Sequence, residues 1–460
     1  MKSLNFRDFM NLLKTCEELH SVAVEVDPDL EIAAITARVC KCRQNRALLF
    51  DSVKGSSFRV VTNLFGSELR LSLALGLENL SALTDRFDSI LANLQGVTAA
   101  EKLAELATSP DWSAATPLLC DHPADLHETA IDLNILPVIR SHPLDGQPEH
   151  DGRFLTLPLV ISTDPEGNGR NCGMYRAAII APDRLAIKWS SSSGAAMHAA
   201  SWVMHEQPMP VVIALGCSPA VTLAATLPLP PSLDELTFAG LLQGEAVKVF
   251  SCSNGLVALH DAEIVIEGYL EPGSTGSGAF GNHSGFYSPS EPAASVKVTA
   301  VRIRSDMILP ATVVGKPPME DCWLARAGGY LLLSLLKIDV PEVVALHTPF
   351  AGIFHGAAFI SVKNVQGKGL ELIKAIRKTP WFANAKLLVI VEVEQDPADE
   401  TAVFWRIMNN VNWAEDMIIS GGGLSIDATR KVSETRIAVK TDAGITELVE
   451  KRWKEYGFDC

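Results

Sequence analysis

Between about residue 125 and residue 308 the chain is written in short apolar runs, each closed by Gly, Pro, Asn or Asp. This punctuation limits the middle of the molecule to β structure. The runs are 154–162, 171–181, 185–189, 210–215, 246–250, 255–259, 261–270 and 294–304. Runs of this length between turn residues suit the strands of an antiparallel barrel. Two helix-patterned stretches, 194–206 and 232–242, are inserted among them.

The flanks follow a different period. Leu4, Phe9, Leu12, Leu13, Cys16 and Leu19 fall at helical spacing over 4–19. Asp27-Pro28-Asp29 opens a second helix to about Cys42, with Pro near its first turn. Strand-like runs at 47–50 and 58–62 and a helical stretch over 67–109 complete an α/β unit. The Pro-rich stretch 109–125 reads as a linker or a crossing segment. Beyond it and the β-rich middle, helix 322–337, strands 342–347 and 355–363, helix 368–380, strand 386–393, helix 399–410 and strand 416–419 alternate in α/β order. A terminal helix over 441–457 carries Ile445, Leu448, Val449 and Trp453 as an apolar stripe, suited to its own domain or to a neighbouring subunit. The expectation is an α/β (α+β) protein with an N-terminal α/β domain 1–115, a central barrel domain 116–310 and a C-terminal α/β domain 311–460.

Composition narrows the functional classes. The chain has 460 residues, 47% of them apolar and 20% charged, enough for two or three cores. A formal net charge of −15 argues against a nucleic-acid binder. No apolar run reaches the ~18 residues of a membrane span, and MKSLNFRDFMNLLK lacks the uninterrupted apolar core of a signal peptide. The nine cysteines are scattered, and Cys40 and Cys42 do not have zinc-finger spacing. They suit the thiols of a reducing, cytoplasmic setting. There is no HExxH and no GxSxG, and the lone GxG pieces at 276–278 and 367–369 lack the rest of a dinucleotide fingerprint.

Asn171-Cys172-Gly173-Met174-Tyr175-Arg176 sits between two apolar runs, behind the turn residues 164–169. In an alternating strand Asn171, Gly173 and Tyr175 share one face, and Cys172, Met174 and Arg176 the other. An Arg in so apolar a setting needs a partner. From spacing alone, a surface ion pair on an edge strand is the plainest account. This NxGxYR stretch is followed in order by Trp189, PSLDELTFAGLLQGE (231–245), AEIVIEG (262–268), FGNHSGFYS (280–288), GKPPMED (315–321) and SIDATRK (425–431). The series resembles the UbiD family, decarboxylases that use prenylated flavin mononucleotide (prenylated FMN), and most closely its menaquinone-pathway-like branch.

The resemblance implies that the central segment is a split barrel holding the flavin, with Asn171, Gly173, Met174, Tyr175, Arg176, Ser192 and Glu235 around it. Asn171 and Glu235 match two of the family's ligands for manganese, with potassium beside it, and Ser192 stands where the family has a His. His198, six residues further on, reaches that position only if the loop moves, and is otherwise a packing or solvent-facing residue. Gly423 stands where the family has a phosphate-binding Lys, and Gly421 to Gly423 form either a nest for a phosphate or a flexible loop. Arg176 matches the catalytic Arg. Ser277 and Asn282 replace the family's two acids, and neither is a general acid at neutral pH. His355, with Ser277 and Asn282, is then expected to shape the substrate pocket and to supply the proton, the alternative being a satisfied core His. Glu263 and Glu267 share a strand face as a carboxylate pair or, more simply, a solvated face. Glu271 lies just upstream of the Ser277 segment.

Two readings follow. One is a carboxy-lyase acting on an aromatic, heteroaromatic or α,β-unsaturated carboxylic acid, a homodimer or larger homo-oligomer served by a flavin prenyltransferase. The other is a catalytically degenerate partner subunit of an active UbiD-like enzyme.

Overall fold

Asn5 caps the first helix, Phe6–Thr15, accepting the Asp8 N–H at 2.8 Å, and the helix buries Phe6, Phe9, Met10 and Leu13. It ends earlier than the spacing predicts. Glu17 takes a positive φ of 58°, and Leu19 opens the strand Leu19–Val26 rather than extending the helical stripe. Cys16 is exposed for the same reason. The structure, a computed structural model, describes residues 4–167, 169–354, 356–363, 365, 367–431, 439 and 441–458. His355, and the pocket role expected of it, lies outside them.

Among the described residues the architecture is mixed α/β, built on three larger sheets. In the N-terminal sheet, Leu19–Val26, Ala47–Val53 and Arg59–Thr62 are joined by Ile308–Ala311, which pairs in parallel with Arg59–Thr62. The helical stretch 67–109 resolves into Glu68–Leu75, Ala82–Leu91 and Ala99–Thr108. The linker holds a 3-10 turn, Pro110–Ala115. In the C-terminal five-stranded sheet, Gly423–Asp427 lies beside Leu387–Glu392, a strand that periodicity alone did not mark. No helix among the described residues is long and apolar enough to cross a membrane.

The central ten-stranded sheet positions the site. Its hairpin, 154–163 against 170–181, belongs to both ends of the sheet. Leu159–Thr163 pairs with Pro210–Leu215, whereas Ala177–Ala181 pairs with Arg184–Ile187. Within the hairpin Leu159 faces Met174 and Leu155 faces Ala177. The two ends are thereby tied together. The run read from sequence as one strand over 171–181 is two, Arg170–Met174 and Ala177–Ala181. Tyr175 and Arg176 occupy the seam between them.

Candidate active site

Three elements wall a cavity of about 500 Å³: the strand Arg170–Met174, the helix Gly194–Met204 and the helix Glu235–Gln243. Of the residues expected around a flavin, Asn171, Gly173, Met174, Tyr175, Ser192 and Glu235 line it together. Met174 joins the opposite face of its strand in doing so, because the chain turns at the seam. Arg170, His198 and Phe354 line it too. Two glycines are required by close approach. A Cβ on Gly173 would stand 2.3 Å from Cζ of Tyr175, and one on Gly194 would stand 2.2 Å from Oδ1 of Asn171.

Glu235 opens its helix behind the cap Asp234, which accepts the Leu236 N–H at 3.0 Å and holds Arg170 at 2.6 Å. The Glu235 carboxylate accepts the Cys172 N–H at 2.8 Å. Burial pushes its pKa up to about 7. Nδ2 of Asn171 is buried with no hydrogen-bond partner, while its Oδ1 accepts the Tyr175 hydroxyl at 3.4 Å. Ser193 caps the helix Gly194–Met204, accepting the Ala196 N–H at 3.2 Å. Ser192 is exposed, 3.3 Å from Ser190 through their hydroxyls. His198 stands on the cavity wall with Nδ1 2.9 Å from the Ser162 hydroxyl, and burial holds its pKa below the ordinary value.

Beyond the seam the chemistry changes. Arg176 lies over the face of Phe280, 4.1 Å from the ring centroid. Its Nε is buried with no hydrogen-bond partner. The surface ion pair that spacing suggested is not what it makes. Burial lowers its pKa, opposed by the charge of Asp145. Asp145 is fully buried and accepts the N–H groups of Gly281 at 2.8 Å and His142 at 2.9 Å. After burial, the Arg176 charge further depresses Lys188 and His283. Arg176 is thus a guanidinium with a donor left unused, which suits an anion.

The two residues that stand in for the family's acids are spent locally. The Ser277 hydroxyl donates to the Gly278 carbonyl at 3.2 Å and accepts the Glu291 N–H at 3.0 Å. Asn282 donates to the Ser288 hydroxyl at 2.6 Å and accepts the Ser284 N–H at 2.8 Å. Next to it, Nδ1 of His283 lies 3.9 Å from Oδ2 of Asp321. Burial pushes the Asp321 pKa up to about 6.

Other candidates fall elsewhere. Glu263 and Glu267 are fully buried, not a solvated face, because each answers arginines: Arg7 at 2.7 Å for Glu263, and Arg302 for Glu267. Glu271 pairs with Arg184 at 3.1 Å. Gly421 and Gly422, at φ 59° and 74°, form the two-residue turn of a hairpin in which Ser420 faces Gly423. Gly423 itself packs against the Ala385 carbonyl. Arg170, Asp145 and Asp321 were missed by sequence reasoning. Asp321 was in plain view inside GKPPMED, whereas nothing in the spacing around Asp145 marks it.

Comparison with known proteins follows the same division of the chain. The descriptions that match are the 3-octaprenyl-4-hydroxybenzoate carboxy-lyase N-terminal domain over residues 10–90, its Rift-related domain over 118–317 and its C-terminal domain over 322–442. An uncharacterized protein of Aquifex aeolicus is 33% identical, the match spanning 98% of this chain and 93% of its own length. Among solved structures, an evolved dimeric form of the UbiD-class enzyme HmfF from Pelotomaculum thermopropionicum, in complex with prFMN, is 25% identical with a TM-score of 0.80 over 96% of this chain and 98% of that one. The vanillic acid decarboxylase of Sedimentibacter hydroxybenzoicus in closed form is also 25% identical, with a TM-score of 0.80 over 99% of both chains.

Proposed function

The chain belongs to the UbiD family, and on that premise we propose that it releases CO2, without oxidation, from an aromatic, heteroaromatic or α,β-unsaturated carboxylic acid with the help of prenylated FMN. The observation that carries this reading is Arg176, a guanidinium held on an aromatic face with its buried Nε unpartnered. A substrate carboxylate laid against it completes its hydrogen bonds by a charge-assisted, two-point contact.

The cavity fits the cofactor. About 500 Å³ lies within the range of small-molecule sites. The N-terminus of the helix Gly194–Met204 offers a phosphate backbone N–H groups, with Arg170, which is paired with Asp234, on the same wall. Asn171 and Glu235 would hold a manganese ion with potassium beside it, hard ions that favour oxygen donors. Ser192 and His198 complete the same wall. When bound, prenylated flavin supplies the electron sink that makes loss of CO2 from an unsaturated carbon feasible. The chain's own residues do the rest. Arg176 binds and orients the carboxylate, Phe280 screens that contact from water, and Tyr175, braced edge-on by Trp189 at 5.9 Å, closes the wall.

In this reading the protein acts in the cytoplasm, takes its cofactor from a flavin prenyltransferase, and assembles with itself. Half-exposed Ile445 and Leu448 on the helix Ala443–Lys451 are the residues we assign to that contact. A second reading, a non-catalytic partner of an active homologue, draws on the engagement of Ser277 and Asn282 in local hydrogen bonds.

The test is to co-express the chain with a flavin prenyltransferase, identify released ligand and metal by mass spectrometry, and assay CO2 release from a panel of aromatic, heteroaromatic and alkenyl acids. Prenylated FMN and manganese near one per chain, with turnover that disappears in Arg176→Ala, are expected. A colourless, metal-free and inactive protein would overturn the reading in favour of the partner subunit.

A further inference from the structure

When CO2 leaves, the electron pair of the broken bond stays on carbon, and an enzyme must return a proton there. Ser277 and Asn282 offer none, since both side chains are tied into their own hairpin. We propose that His283 delivers this proton and that Asp321 loads and orients it from behind, an assignment that rests on the carboxy-lyase reading above.

The geometry has three parts. His283 sets its ring edge-on to Phe354, with centroids 5.1 Å apart, and Phe354 lines the cavity. Its ring is also within reach of the Arg176 charge, so it neighbours both a cavity-lining residue and the carboxylate-binding guanidinium. Behind it, Asp321 is the second residue of the long helix Glu320–Asp339. Oδ1 of Asp321 is taken by the Cys322 N–H at 3.0 Å, while Oδ2 is buried without a hydrogen-bond partner, 3.9 Å from Nδ1 of His283. A closing shift of about 1 Å makes that contact a hydrogen bond, and catalytic contacts commonly tighten only when substrate is bound.

The electrostatics support the geometry. Burial raises the Asp321 pKa to about 6, and burial with the Arg176 charge lowers that of His283. The two groups are pushed toward each other, the condition for sharing one proton. The groups facing them are Arg176 from the seam, Glu320 and Cys322 beside Asp321, Cys40 across from that helix end, and Lys316 against Gly285 in the hairpin. In the step itself the bond to the carboxylate carbon breaks and CO2 departs. The carbon takes a proton from Nε2 of His283 as Nδ1 takes one from the Asp321 carboxyl; solvent then reprotonates Nε2 while Nδ1 returns its proton to Asp321. One proton is consumed for each CO2 released. His283 is the catalytic residue and Asp321 a positioning residue.

A purely structural clasp between hairpin and helix would show the same contact, so the test needs a readout that a clasp does not move. Holoprotein is assayed for CO2 release from a panel that includes vanillate, 3,4-dihydroxybenzoate and cinnamate. His283→Gln and Asp321→Asn are expected to lower kcat at least 100-fold with KM within threefold, and Asp321→Asn to remove the fall in kcat on the alkaline side. Full-length protein labelled with ¹³C at histidine Cε1 gives the second readout, the His283 signal being the one absent from His283→Gln. That signal should titrate in two steps, one of which disappears in Asp321→Asn. Active wild type with variants inside threefold of its kcat, or a single His283 step unmoved by Asp321→Asn, overturns the pair while leaving the carboxy-lyase reading intact. Wild type that releases no CO2 from any acid overturns that reading, and this role with it.

Discussion

Partly buried arginines meet the central sheet at two places and are treated in opposite ways. At one, charges are answered from several sides. Glu263 takes Arg7 at 2.7 Å and the Ile308 N–H at 3.0 Å. Arg304 donates to the carbonyls of Ala262 at 2.9 Å and His260 at 3.0 Å and also reaches Asp125, while Arg302 joins Glu267 and Glu128. At the seam, Arg176 has an aromatic face, a buried Nε without a partner, and a carboxylate, Asp145, already engaged by two backbone N–H groups. A buried charge with a full set of partners holds elements together. One left short of partners is held by its surroundings for something that arrives later.

The comparison can be broken at either end. Glu263→Ala should cost about 3 kcal/mol of stability, because it leaves the buried Ile308 N–H without its acceptor and Arg7 with Asp306 alone, and denaturant unfolding reads this directly. Arg176→Ala should reduce turnover ~100-fold or more, equivalent to about 3 kcal/mol, yet leave the unfolding midpoint almost unmoved. Equal stability losses in both variants would erase the distinction. A smaller effect concerns Asp321. Its folded pKa, about 6, lies above the ordinary value of 3.8, so its contribution to stability is full below about pH 4 and is lost as pH rises through about 6. The loss is at most roughly 3 kcal/mol, and Asp321→Asn should flatten that part of the stability–pH curve. Ser193→Ala removes a helix cap at the cavity wall and should cost ~1 kcal/mol. If it also weakens phosphate-bearing cofactor more than it lowers the melting temperature, the helix end contributes to binding.

How far the sequence reaches depends on the range of the interaction. The strands of the central sheet were legible because alternation and turn residues are local, and the ordered motifs brought Asn171, Gly173, Tyr175, Ser192 and Glu235 to one cavity. What was lost is non-local. That Glu263 and Glu267 are buried depends on arginines at 7, 302 and 304, which no window around residue 265 contains. Asp145 gains its place only when the loop holding it folds against Gly281. The break at Tyr175–Arg176 falls where the chain passes from a strand at one end of the sheet to a strand near the other, and an apolar run carries no mark of where its hydrogen-bond partners change.

The N-terminal sheet draws its last strand from Ile308–Ala311, far down the chain from its neighbour Arg59–Thr62. During synthesis that neighbour waits with one edge open while about 250 further residues emerge, on the order of tens of seconds at roughly 5–20 residues per second. An open strand edge is a template for pairing with other chains. The nascent protein thus passes through a window in which a chaperone would protect its yield and slow translation would lower it. A truncation placed before Ile308 would make that window permanent.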